Sequence, residues 1–264
     1  MIRKIRQKAK TGYEIIRILK NWRSYFASHF GLINGRYFTY KLRNGLTIKG
    51  DAFNKNCMGA INEIWVNRIY NPKGFEIKAG DIVVDVGGHI GIFSLLASRF
   101  AKNGQIITVE PFPSTFRILQ ENIRKNKIKN VLLVNKAISN KKGVKDLFLE
   151  GESTVGVTFF KDALENDNLK KESVKTITLE ELMKECGIDH IDFLKMDCEG
   201  AEYEILFSCS PTILNKIGKI SMEYHNLDES NNVSHLKKFL EGNGFNVVLG
   251  AGKYSTLYAK RRSI

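Results

Sequence analysis

Residues 81–94 read Asp81-Ile82-Val83-Val84-Asp85-Val86-Gly87-Gly88-His89-Ile90-Gly91-Ile92-Phe93-Ser94. Ile82 to Val86 are apolar and β-branched apart from Asp85, as in a strand covered on both faces. Gly87, Gly88 and Gly91 let the backbone turn sharply and approach a ligand closely. Ile92-Phe93-Ser94-Leu95-Leu96-Ala97 continues at helical spacing. The stretch is the βα unit of an α/β sheet, which binds small molecules where strand ends open into such turns.

A dinucleotide fingerprint needs glycine at position 89, and His89 stands there. The pattern is instead acid-x-Gly-x-x-x-Gly with Asp85 at the strand end. A carboxylate there suits a cationic ligand, such as the ammonium of S-adenosylmethionine, better than a pyrophosphate. Further on, Ile106-Ile107-Thr108-Val109-Glu110 reads as a second strand ending in an acid placed to accept both hydroxyls of a ribose. One βα unit apart, Asp85 and Glu110 together predict an adenosyl-ligand site. Phe112 either lies against the adenine or packs in the core.

Hydrophobic residues make up 43% of the 264, enough for one large α/β domain. Cys57, Cys186, Cys198 and Cys209 show no Cys-x-x-Cys spacing, which predicts free thiols in a reducing, cytoplasmic setting. The histidines have no zinc-ligand spacing with them. No apolar run is long enough to span a bilayer, and no signal-peptide core supports export. Of the net charge of +13, residues 1–50 contribute +11, from twelve Lys or Arg and one acid, Glu14. The remaining chain is nearly neutral.

Residues 2–30 read as a helix with Ile15, Leu19, Trp22 and Phe26 on one stripe and a basic polar side. Such a helix can touch an anionic membrane surface, attract nucleic acid, or pack on its own domain. Alternating runs around Asn44-Gly45 predict a hairpin, and residues 61–70 a helix ended by Asn71-Pro72. These elements make residues 1–75 an extension that forms a lid or platform beside the cofactor turn of a catalytic domain, 76–264. A helix over 114–126 and a third strand over 131–135 follow, and the strand's end places Ala137 where it would border the adenine. Residues 140–178 are less regular. Short strands are expected over 146–149 and 155–160, a polar loop Glu152-Ser153-Thr154 that could reach a substrate, and a charged surface loop over 161–175. Thr178 is the candidate cap of a helix over 179–186.

The second chemical stretch is Ile191-Asp192-Phe193-Leu194-Lys195-Met196-Asp197-Cys198-Glu199-Gly200-Ala201-Glu202. Alternation along its strand puts Lys195 and Asp197 on one face. Asp197, Glu199 and Glu202 then gather at the strand end and the next helix N-terminus, where the helix dipole tolerates acids. In the fifth strand, Glu223 and His225 share a face near the same end. A helix over 232–242 and a closing hairpin around Gly250-Ala251-Gly252 complete the chain.

These residues resemble the FkbM-type family of S-adenosylmethionine-dependent methyltransferases. The resemblance rests on Val84 to Gly91, on Val109-Glu110-Pro111-Phe112-Pro113 and on Ile191 to Glu202, and it covers about residues 60 to 225. It implies the Rossmann-like class I methyltransferase fold, a mostly parallel seven-stranded sheet with one antiparallel strand and helices on both faces. It further implies an enzyme similar to O-methyltransferases of polyketide or sugar hydroxyls. His89 stands where such proteins often have Asn. Carried over by residue, Asp85, Gly87 and Gly91 would hold the methionine part, Glu110 the ribose and Ala137 the adenine edge. Asp197 and Glu199 would face the methyl group and the acceptor.

In that reading Asp197, or His225 held by Glu223, takes the acceptor's proton, and Lys195 stabilises oxyanion charge. A divalent cation on Asp197, Glu199 and Glu223 is the lesser alternative to a metal-free site. The acceptor is a small molecule or glycan, with peripheral membrane contact through residues 1–30 as an option. Two rivals stay open: an RNA or protein methyltransferase recruited by the basic segment, and a non-catalytic adenosyl-binding module.

Overall fold

The computed structural model describes residues 10, 12–32, 37–51, 55–150, 169–251 and 254–262. A hairpin of β1 (Tyr37–Lys41) and β2 (Thr47–Asp51) comes first. The strands that follow are β3 (Ile82–Val86), β4 (Gln105–Val109), β5 (Val131–Val134), β6 (Ala137–Ile138), β7 (Gly143–Glu150) and β8 (Leu169–Ile177). After them come β9 (Ile191–Met196), β10 (Ile217–Glu223), β11 (Phe245–Leu249) and β12 (Thr256–Arg261). Seven of these form one sheet in the order β11-β12-β10-β9-β3-β4-β5. Its neighbours are parallel except at β12, which runs antiparallel to both β10 and β11. This is the seven-stranded, one-antiparallel arrangement that the resemblance implied.

Successive strand residues feed opposite layers, as the period of two requires. Val83, Ile106 and Phe193 pack with helix α3 (Ile92–Phe100) and Leu119 of helix α4 (Pro113–Lys125). Their neighbours Val84, Ile107 and Leu194 pack against Leu182 of helix α5 (Leu179–Cys186) and Leu206 of helix α6 (Glu202–Ser208). Thr178 does cap α5, and with Glu181 it closes a reciprocal capping box.

The leader helix differs from the expectation. It is broken into residues 12–18 and a helix Trp22–His29, with Leu19 bridging to Leu42 between them. Ile15, Leu19 and Tyr25 are buried in the same cluster as Tyr40, Ile48, Val83 and Phe93. The apolar stripe that sequence offered to a membrane is therefore turned inward onto the domain. No helix among the described residues is long and apolar enough to cross a membrane. The expected helix over 61–70 starts earlier, at Lys55, and its end, Asn62–Val66, is a π-helical turn.

Two side-chain amides of α4 fasten the hairpin. Asn122 accepts from the Lys49 N–H at 2.7 Å and donates to the Lys49 carbonyl at 2.9 Å. Asn126 does the same for Thr47, accepting its N–H at 2.7 Å and donating to its carbonyl. The edge of β2 is thus satisfied as a further strand would satisfy it.

The region 140–178 is more regular than its sequence suggested. β7 and β8 form a long antiparallel pair, and residues 169–175 of the supposed charged loop are strand. Val174 and Thr176 of β8 point inward while Lys171, Ser173 and Lys175 face solvent, so the period-two signal was written mostly in polar residues. The expected loop at Glu152-Ser153-Thr154, the strand over 155–160 and residues 161–168 lie outside the described residues.

Within the sheet, Asp85 of β3 and Lys195 of β9 are direct cross-strand neighbours. Their side chains are 0% and 3% exposed, with Nζ 3.1 Å from Oδ1. The Ser94 hydroxyl donates to the other Asp85 oxygen at 2.7 Å. Removing one partner strands a buried charge, so Lys195→Met is expected to lose about 3–5 kcal/mol of stability in urea denaturation. The double variant Asp85→Asn/Lys195→Met is expected to recover most of that loss.

Candidate active site

The carboxyl ends of β3, β4, β9 and β10 open on a cavity of about 350 Å³. Gly87, Gly88 and His89 line it from the first turn, and Glu110 and Pro111 from the second. Lys195, Asp197 and Glu199 follow from β9, and Glu223 and His225 from β10. Gly59, Ala60, Glu63 and Ile64 of the leader line it as well. The first turn is pinned to β4, because the N–H groups of Gly87 and Gly88 both donate to the Val109 carbonyl at 3.0 Å. Gly87 has φ 74°, and a Cβ there would stand 1.9 Å from the Asp197 carbonyl oxygen. Only glycine lets the two strand ends approach this closely.

Glu110 sits where the second acid was expected. Its oxygens accept the His89 N–H and the Phe112 N–H, each at 2.9 Å. Burial outweighs these donors and pushes its carboxyl up to about 7. The Ala137 and Ile138 side of the cavity, with Leu147, is apolar. Three residues expected at the ligand do not line the cavity. Asp85 is fully buried beneath the cavity, committed to Lys195 and Ser94. Gly91 begins α3 in the left-handed region, and a Cβ there would meet Leu119. Phe112 is not on the cavity wall and acts on it through its backbone N–H. His89 does line it, and burial lowers its imidazole to about 4.

On the opposite side, Lys195 donates to the Gly87 carbonyl at 2.8 Å and stands 3.9 Å from Asp197. Burial works against its charge, but Asp85 and then Asp197 outweigh it and hold the ammonium protonated. Tyr70, which sequence reading did not single out, donates to Asp197 Oδ2 at 2.9 Å and lies 3.3 Å from Glu223 Oε2. Burial, and after it the charge of Asp197, raises Glu223 to about 7. A protonated Glu223 would donate to the Tyr70 oxygen, so the three groups form one hydrogen-bonded chain.

His225 is not held by Glu223. Its Nδ1 lies 3.2 Å from Oε1 of the fully buried Glu202, and its Nε2 lies 3.4 Å from Glu199 Oε2. Burial works to lower it, yet the Glu202 hydrogen bond and charge, with Glu199 and Asp197, raise it to about 9. An imidazole raised this far is a poor proton acceptor at neutral pH, which weighs against the base role expected for it. Glu63 and Tyr70 could not have been found from a motif. The leader's place in the fold, not a local pattern, brings them here.

The chain matches the methyltransferase FkbM domain over residues 85–247. It is 26% identical to the 31-O-demethyl-FK506 methyltransferase FkbM of Streptomyces tacrolimicus, covering 80% of this chain and 89% of that protein. Methyltransferase 1 of Beauveria bassiana is 22% identical, over 71% of this chain and 80% of its own. The M. jannaschii TYW2 structure in complex with AdoMet overlaps 86% of each chain at 15% identity, with a TM-score of 0.44. On the family match, which spans more than half of its length, this chain belongs to the FkbM-domain family of S-adenosylmethionine-dependent methyltransferases.

Proposed function

We propose that the protein transfers the methyl group to a hydroxyl of a small molecule or glycan. The observation that carries this reading is the chain Asp197–Tyr70–Glu223, two carboxylates at one end of the cavity joined through a buried tyrosine hydroxyl. The cavity fits an adenosyl group on the other side. Glu110 offers carboxylate oxygens with lone pairs beyond the two backbone donors, as a ribose diol needs, and Ala137, Ile138 and Leu147 supply an apolar bed for a purine. Asp85 supports the site from below by fixing Lys195 beside Asp197 rather than by contact.

Bound S-adenosylmethionine supplies an electrophilic methyl and takes back the sulfur–carbon electron pair. The protein aligns the acceptor oxygen and removes its proton. Asp197 receives that proton, Tyr70 positions the carboxylate, and Glu223 is the next acceptor in the chain. Lys195, buried and paired with Asp85, places its positive charge 3.9 Å from Asp197 instead of meeting an oxyanion directly. The wall bearing Glu63, Glu199 and Glu223 repels phosphates, which argues against an RNA acceptor despite the basic leader.

A labelled-methyl screen over hydroxyl-rich small molecules, glycans, lipids and RNA tests the acceptor class, and labelling of RNA alone would overturn the proposal. With a hydroxyl acceptor in hand, Asp197→Asn is expected to lower kcat by about 100-fold or more while calorimetric cofactor binding persists. Tyr70→Phe is expected to lower kcat by about tenfold, with KM for cofactor unchanged.

Cofactor affinity is expected to follow the ionisation of Glu110. Its carboxyl sits near 7, so the ionised form that accepts ribose hydroxyls is present above that pH and lost below it. S-adenosylhomocysteine binding should therefore weaken severalfold from about pH 8 to about pH 6. Glu110→Gln should bind weakly throughout and remove this component of the pH profile.

A further inference from the structure

We propose that Asp197, Glu199 and His225 bind a divalent cation of the Mg²⁺ and Mn²⁺ class. Each offers one ligand atom, and these atoms all lie within 4.8 Å of one another. Donors on opposite sides of a hard divalent ion at about 2.1–2.4 Å stand about 4.2–4.8 Å apart, so the triad spans a single ion with little side-chain adjustment. The three come from two adjacent strand ends, after β9 and after β10, and all line the same cavity.

The imidazole separates this triad from a chance crowd of acids. Glu202 is fully buried, and its Oε1 is engaged by the Cys198 N–H at 3.0 Å and by His225 Nδ1 at 3.2 Å. Its other oxygen has no hydrogen-bond partner. A buried carboxylate behind one ring nitrogen fixes the ring and turns the other nitrogen outward, as the outer-shell acids of metal-binding histidines do. Here Nε2 is turned toward Glu199. A bound cation offsets the negative charge that Asp197, Glu199, Glu63 and Glu223 bring to one cavity.

The donor set also selects the ion. Two carboxylate oxygens and one imidazole nitrogen favour Mn²⁺ or Mg²⁺ over soft, thiolate-seeking metals. Glu223, the third ligand expected from sequence, is replaced by His225. Resting on the O-methylation reading, the cation would polarise the acceptor hydroxyl beside Asp197.

The test uses the full-length protein, treated with chelator and titrated with MnCl₂ alone, read by the EPR signal of free Mn²⁺ and by calorimetry. One saturable site is expected. Glu199→Gln and His225→Asn are each expected to weaken it at least tenfold, while Glu185→Gln, on the surface pair with Lys136, leaves it unchanged. Circular dichroism and S-adenosylhomocysteine calorimetry on the same variants report folding, and if one variant does not fold the other decides. Absence of saturable Mn²⁺ binding, or binding that a folded Glu199→Gln or His225→Asn variant retains at full strength, overturns the proposal. Protein that binds S-adenosylhomocysteine but no Mn²⁺ would overturn the cation and leave the methyl-transfer reading standing.

Discussion

The rest of the site depends on one buried ion pair. Asp85 and Lys195 face each other across neighbouring parallel strands, both withdrawn from water. Two such charges are tolerable only because each satisfies the other and the remaining valences are met by Ser94 and by the Gly87 carbonyl. The pair fixes β3 against β9 in one register. That register brings the first glycine turn to the Asp197 backbone at a separation only glycine permits. The cofactor turn and the acidic end of β9 are thus positioned by the same interaction, so neither can shift without the other.

What the pair leaves above it is an excess of carboxylate. Lys195 is spent largely on Asp85 and reaches Asp197 only at 3.9 Å. Among the described residues, His225 lies against Glu199 and Glu202, and the hydroxyl of Tyr70 lies between Asp197 and Glu223. The consequences agree with each other: Glu223 is pushed up to about 7 and His225 to about 9.

The sheet was legible because its signals are local. A β-branched run, a glycine turn and a helical continuation at 82–97 can mean little else, and the strand at 191–196 announces itself in the same way. Lys195 and Asp197 were correctly put on one face by alternation alone. What could not be read was partnership across the chain. A strand-end acid reads as exposed from sequence, and only the tertiary register shows that Asp85 is buried against Lys195. His225 was given to Glu223 because the two are adjacent on one strand, whereas a helix from another unit brings Glu202 closer. β8 was missed because its inward positions include Thr176, so the alternation was polar throughout much of its length.

The leader shows why bulk charge says little about the acceptor. It carries nearly all of the net positive charge, and from sequence that invited an anionic partner. In the folded chain the leader's contribution to the cavity is Gly59, Ala60, Glu63, Ile64 and, behind them, the Tyr70 hydroxyl. Its basic groups, such as Arg17 and Lys20, are on the exposed surface, whereas its buried residues complete the site. Among the described residues, that end of the cavity is lined mainly by carboxylates, and its Lys195 is paired with Asp85. Within a Debye length of about 8 Å such local charge outweighs the distant surface charge in deciding which molecule can enter. The segment that makes the protein basic therefore supplies part of an acidic pocket.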